Sequence, residues 1–184
     1  MTEAAPRTGT VVAGIATGAT LCLASAMTVV AIATVVVMLS GLADETRGTL
    51  RFGFGGVEHS PAEVTRIALY NARVAGGTLV CAALAPRVGM RVRRLVFVLL
   101  ATVLTCSAAA VGVAIGAYGD RVISAIAVHL PVEFSALSLA GGAYMQACKQ
   151  ALSSRELVAA GATTGLLLVV AAALETYVSI GATQ

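Results

Sequence analysis

Long uncharged runs separated by short polar connections divide this sequence. Residues 10–42 contain no charged side chain. As a helix rising 1.5 Å per residue, that run would be about 50 Å long, more than a hydrocarbon core of about 30 Å requires. It is also too long, and its polar start too weakly basic, for the apolar region of a cleaved signal peptide. Four further runs, at about 62–85, 95–118, 121–147 and 156–180, each suit a membrane-crossing helix. The pattern predicts an all-α fold: one transmembrane domain over residues 1–184, a bundle of about five helices.

The polar connections carry recognisable boundaries. Residues 43–60 form the one sizeable hydrophilic connection, expected as a loop on the non-cytoplasmic side. Within it, Leu50-Arg51-Phe52-Gly53-Phe54-Gly55-Gly56 is too rich in glycine for a helix and reads as a short strand or a dipping loop. His59 next to Glu58 reads as a solvated histidine. Ser60-Pro61-Ala62-Glu63 has the signature of a helix start, with Ser60 as N-cap, Pro61 in the first turn and Glu63 completing a capping box. Ser153-Ser154-Arg155-Glu156 repeats the box before the last run, and Asp120 is placed to cap the fourth. Small residues predict close helix packing at Gly14-xxx-Gly18, Ala68/Ala72/Gly76, Ala108-xxx-Gly112-xxx-Gly116 and Gly161-xxx-Gly165.

Composition fits the pattern. Hydrophobic residues make up 58% of the chain and charged ones 11%, with a mean hydropathy of +0.92, where a soluble domain is about a quarter charged. The net charge of +3 is small enough to read as topology rather than nucleic-acid binding. With the amino terminus inside, the cytoplasmic segments hold Arg7, Arg87, Arg91, Arg93, Arg94, Lys149 and Arg155. The opposite segments hold Arg47, Arg51 and Arg121. The positive-inside rule therefore predicts a cytoplasmic amino terminus and an extracytoplasmic carboxyl terminus. The near absence of lysine, with abundant Ala, Val and Gly, fits a GC-rich bacterial genome, which makes the plasma membrane the expected location. Cys22, Cys81, Cys106 and Cys148 lie within or near the ends of apolar runs without metal-ligand spacing and read as small packers.

Orientation gathers the polar residues of three runs into one layer. His129 and Glu133 are four residues apart, on one face of a helix. Glu63, Arg66, Tyr70 and Arg73 form one stripe, with Asn71 just off it. Asn71, Arg73, His129 and Glu133 are expected about 10–17 Å along their helices from the outer face, and Glu175 returns to the same half on the last run. A charge in hydrocarbon is penalised by about 2.5–3.5 kcal/mol, so Arg73 is expected to pair with Glu133 or Glu175, with His129 beside them. Pro131 is expected to bend the helix and free a carbonyl there. Two readings stay open: an ion-paired staple that fixes helix register, or a pocket handling a proton or a substrate. In the second, His129, Glu133 and Arg73 are the catalytic candidates, and Asn71, Tyr70 and Glu175 the substrate or partner contacts. No motif for nucleotide, metal or cofactor binding is present, so none is expected.

The run Ile67-Ala-Leu-Tyr-Asn71-Ala-Arg73-Val-Ala75, the pair His129-x-x-x-Glu133 followed by small residues to Gly141-Gly142, and the closing Ala171-Ala-Ala-Leu-Glu175 resemble the stage II sporulation protein M family. The likeness covers about residues 60–180. Leu130-Pro131 stands where that family usually has glycine, and Asn71 stands alone where it often has two asparagines. The resemblance implies a bacterial plasma-membrane protein of five to six spans in a multiprotein assembly; a catalytic activity does not follow from it.

The favoured expectation is therefore a non-enzymatic integral membrane subunit, a scaffold or partner in a hetero-oligomeric envelope complex. The alternative is the membrane-embedded half of a cofactor-independent acid/base enzyme, such as a peptide epimerase. A permease-like subunit of an ATP-driven transporter ranks third, because the loops at 86–94 and 148–155 offer no evident coupling helix.

Overall fold

A computed structural model describes residues 8–50 and 60–179. The elements, in order, are α1 (Thr8–Ser40), α2 (Ala43–Leu50), α3 (Pro61–Leu84), a 3₁₀ turn (Ala85–Arg87), α4 (Met90–Tyr118), α5 (Asp120–Ile126), α6 (Leu130–Lys149) and α7 (Ser154–Leu174). The last helix runs on into one π-helical turn, Glu175–Ser179. Among the described residues there is no strand. Four helices are long and apolar enough to cross a bilayer, and α5 with α6 makes a fifth candidate span, bent by 61°. Large apolar side chains face outward all round the bundle, among them Leu39, Val158 and Leu166. Such a surface is compatible with a hydrocarbon solvent and not with water. The fold is a polytopic helical membrane bundle.

α6 is the hub, packed against α1, α3 and α7. The reason is side-chain size. Ala136, Ala140, Ala143 and Ala147 recur at helical spacing and are fully buried. Small faces of this kind let backbones approach and gain dispersion contacts where no hydrophobic driving force exists. Gly18 crosses close on Gly142: a Cβ at Gly142 would lie 2.4 Å from the Ile15 carbonyl oxygen. The Ala108-xxx-Gly112-xxx-Gly116 ridge packs α4 on α1 in the same way, and a Cβ at Gly112 would meet the Val30 oxygen at 2.4 Å. Thr34 at this seam has its hydroxyl within hydrogen-bonding reach of the oxygens of Val30 and Gly112. The expected ridges of α3 and α7 are not close approaches, for nothing comes within 4 Å of a Cβ at Gly76 or Gly165.

Both helix starts that carry a serine box form where expected. Ser153 accepts from the Glu156 amide while the Glu156 carboxylate accepts from the Ser153 amide, a complete capping box. At α3 only half the box forms: Ser60 accepts from the Glu63 amide, but the Glu63 carboxylate turns to Arg66. Gly119, at φ +59°, occupies the N-cap of α5, so Asp120 is the first helical residue and not the cap.

Three boundaries differ from the sequence expectation. Residues 43–50 are helical rather than loop. Asp44 and Glu45 in the first turn and Arg47 in the last favour that helix through its dipole. The Gly53–Gly56 run, with Glu58 and His59, falls outside the described residues. α4 begins at Met90, taking in Arg91, Arg93 and Arg94. Arg93 donates to the carbonyl oxygens of Val88 and Cys148, both at 3.1 Å, while buried Tyr144 donates to the Arg93 carbonyl oxygen at 2.8 Å. This network ties α4 to α6 at the arginine-rich end. The fourth run is not one bent helix. It breaks at Ala127–His129, and Pro131 lies in the first turn of α6, where a missing amide donor and fixed φ favour helix initiation.

Candidate functional site

The break in the fourth run creates the site. α6 alone has 20 residues, about 30 Å at 1.5 Å per residue, enough to cross the hydrocarbon core. His129, its N-cap, therefore sits at the end of the bundle opposite the arginines. Glu133 is one turn in, with its amide donating to the His129 oxygen at 3.0 Å. Both are shallower than a continuous span implies. α7 reaches the same end from the other direction. There its π turn begins at Glu175, and Thr176, fully buried, donates to the Ala172 oxygen at 2.8 Å. A widened turn of this type often marks a functional position. α3 enters here too, with Glu63 and Arg66 joined in an ion pair one turn from its start.

These three helix ends enclose a cavity of about 340 Å³. α6 contributes His129 and Glu133, and the π turn contributes Glu175. α3 contributes Arg66, Ile67, Tyr70 and Asn71. His129 is 8% exposed, while Glu133 and Glu175 are half-buried. Neither carboxylate makes a hydrogen bond or ion pair among the described residues. Glu175 bears electrostatically on Glu133, and the Glu63–Arg66 pair bears on Glu175, with the carboxylate of Glu63 opposing the guanidinium of Arg66. An imidazole and two carboxylates at one cavity can hold a cation or pass a proton. Among the described residues no three His, Cys, Asp or Glu side chains form a group able to hold a metal, and the four cysteines are free.

The structure thus brings together His129, Glu133, Glu175, Tyr70 and Asn71. It does not bring Arg73 to them. Arg73 lies one heptad below Arg66, about 10 Å further along α3. It is exposed on the outer surface, lines no cavity with the carboxylates and makes no ion pair among the described residues. Arg73 therefore does not form the expected pair with Glu133 or Glu175. Sequence reasoning passed over Arg66 as a site residue, although its i, i+3 spacing from Glu63 on the same stripe was the available signal.

A second, larger cavity of about 670 Å³ adjoins the first and shares Tyr70, Asn71, His129 and Glu133 with it. It runs between α3 and α4 with α1 and α6 behind, because α4 packs along α1 and hardly touches α3 or α6. Its walls are mainly apolar: Phe97, Leu100 and Leu104 of α4, Phe134 and Leu137 of α6, and Val74 of α3. No protein-family model matches the chain, and neither a curated protein nor a solved structure is detectably similar to it.

Proposed function

We propose that this protein is a membrane-integral subunit of a hetero-oligomeric assembly in a bacterial plasma membrane, holding a partner's transmembrane helix along α3. The observation that carries this reading is Arg73. It projects from the exposed face of a 24-residue helix, about 18 Å from the helix start and nearly as far from its end. Arg73 lies about 10 Å deeper than Arg66, and a guanidinium left unpaired in hydrocarbon is penalised by about 2.5–3.5 kcal/mol. A carboxylate on a neighbouring helix removes that penalty. Gly77 lies on the same face with nothing within 4 Å of a Cβ, so a partner backbone can come close. The resemblance to stage II sporulation protein M proteins favours the same role.

A photo-reactive phenylalanine analogue placed at Leu69 or Gly77, in native membranes, tests the reading. It is expected to yield an adduct with a second membrane polypeptide, lost on Arg73→Leu. The same analogue at Val158, on the exposed face of α7, is expected to yield none. An adduct that survives Arg73→Leu, or products from α3 no different from those at Val158, would overturn it.

The clustering of His129, Glu133 and Glu175 on one cavity favours a second reading, cofactor-independent acid/base chemistry on a peptide. Here His129 is the base or acid, Glu133 orients it, and Arg66 rather than Arg73 is the cation at hand. Solvent deuterium entering a co-expressed peptide, and lost with His129→Ala in a folded protein, is the expected result. No exchange above the His129→Ala background refutes it.

A further inference from the structure

We infer that the two adjoining cavities form one binding site for a single-chain cationic amphiphile, its ammonium head between Glu133 and Glu175 and its alkyl tail in the groove between α3 and α4. The head and tail follow from different observations. The polar cavity holds two carboxylates with no ion pair among the described residues, and its arginine is already held by Glu63. The two carboxylates that line it are complementary to a cation. Asn71 and Tyr70 add groups able to hydrogen-bond such a head.

The groove supplies the tail's requirements. It follows α4 from Phe97 to Val111 and α6 from His129 to Met145, about 21 Å and about 24 Å respectively. Both exceed the roughly 15 Å depth of half a bilayer core, so one whole alkyl chain fits. Its volume of about 670 Å³ lies within the about 300–1,000 Å³ typical of ligand sites. The groove opens sideways, where Val74, Phe97 and Val103 keep 43–47% of their surface exposed, so a membrane-dissolved molecule can enter without crossing water. The polar cavity sits at the end of the bundle, where α6 begins, which places a head at headgroup level and the tail along the span. An amphiphile in a bilayer has the same arrangement.

The test uses the full chain in phosphatidylcholine nanodiscs with two probes of equal length, dodecylamine and dodecanoate, each carrying a mid-chain diazirine. The amine probe is expected to label peptides of α4 and α6 at least tenfold more than the acid probe, and to be displaced by unlabelled dodecylamine. The double substitution Glu133→Gln with Glu175→Gln is expected to abolish the difference between the probes. Val74→Trp, which fills the groove from an exposed position, is expected to reduce labelling by either. Equal labelling by both probes, a preference that survives the double substitution, labelling indifferent to Val74→Trp, or labelling spread over the outer faces of α1 and α7 would each overturn the inference. None of these outcomes bears on the α3 partner helix, which stands or falls with Arg73.

Discussion

Gly142→Ala adds one methyl group at a backbone-to-backbone crossing of α6 and α1. The new Cβ would lie 2.4 Å from the Ile15 oxygen and 2.5 Å from the Ala19 amide nitrogen, where ordinary contact begins at 3.4 Å. Both obstacles are main-chain atoms of α1, so no side-chain rotation relieves them. The two helices must separate by about 1 Å, and a gap of 0.5–1 Å forfeits about a quarter to a half of each dispersion contact along the seam. Overpacking of this kind destabilises by about 1–3 kcal/mol. The control is Gly165→Ala, at an exposed position with nothing within 4 Å. There the methyl group meets no obstacle, and helix propensity favours alanine by up to about 1 kcal/mol. Reversible unfolding in mixed micelles, read by circular dichroism, measures both. Opposite signs are expected: loss for Gly142→Ala, and no loss or a gain for Gly165→Ala. If Gly142→Ala unfolds with wild-type stability, or if the two substitutions are equally damaging, backbone contact does not set the spacing of α1 and α6.

Two further expectations concern the arginine-rich end of the bundle. Tyr144→Phe removes a buried hydrogen bond to the Arg93 oxygen and is expected to lower stability by about 0.5–1.5 kcal/mol, measured in the same unfolding assay. Ser153→Ala removes the cap of α7 and is expected to cost about 1 kcal/mol. Hydrogen exchange should quicken in the first turn of α7, while Ser154→Ala leaves it unchanged.

What could be read from the chain depended on the kind of signal. Serine boxes at Ser60 and Ser153 are local, and local chemistry decided both helix starts. The glycine ridges of α1 and α4 were legible because small residues at four-residue spacing have few other uses in a membrane helix. The ridge of α7 has the same spacing without a close neighbour, which spacing alone does not reveal. The break at Ala127–His129 was hidden because hydropathy runs through it unbroken, and a proline inside an apolar run looks alike whether it kinks one helix or starts another. Tyr70, Asn71, His129, Glu133 and Glu175, expected in one layer, line one cavity, although His129 and Glu133 lie nearer the bundle end than an unbroken span implies. Arg73 was misplaced for an axial reason. It shares its angular position with Arg66, but the cavity closes before its level is reached. α2 has too little apolar periodicity to have been seen.

The position of Glu175 on the last helix also bears on biogenesis. Residues 133 and 175 are separated by 42 residues, about 2–8 s of synthesis at 5–20 residues per second. The pairing of α1 with α4, and of both α1 and α3 with α6, needs only chain already made. The wall formed by α7 does not yet exist, so during those seconds Glu133 and His129 have no third helix end beside them. The polar chamber is therefore complete only once α7 has been made, and a nascent chain arrested before α7 leaves open to its surroundings a carboxylate that the folded bundle keeps half-hidden.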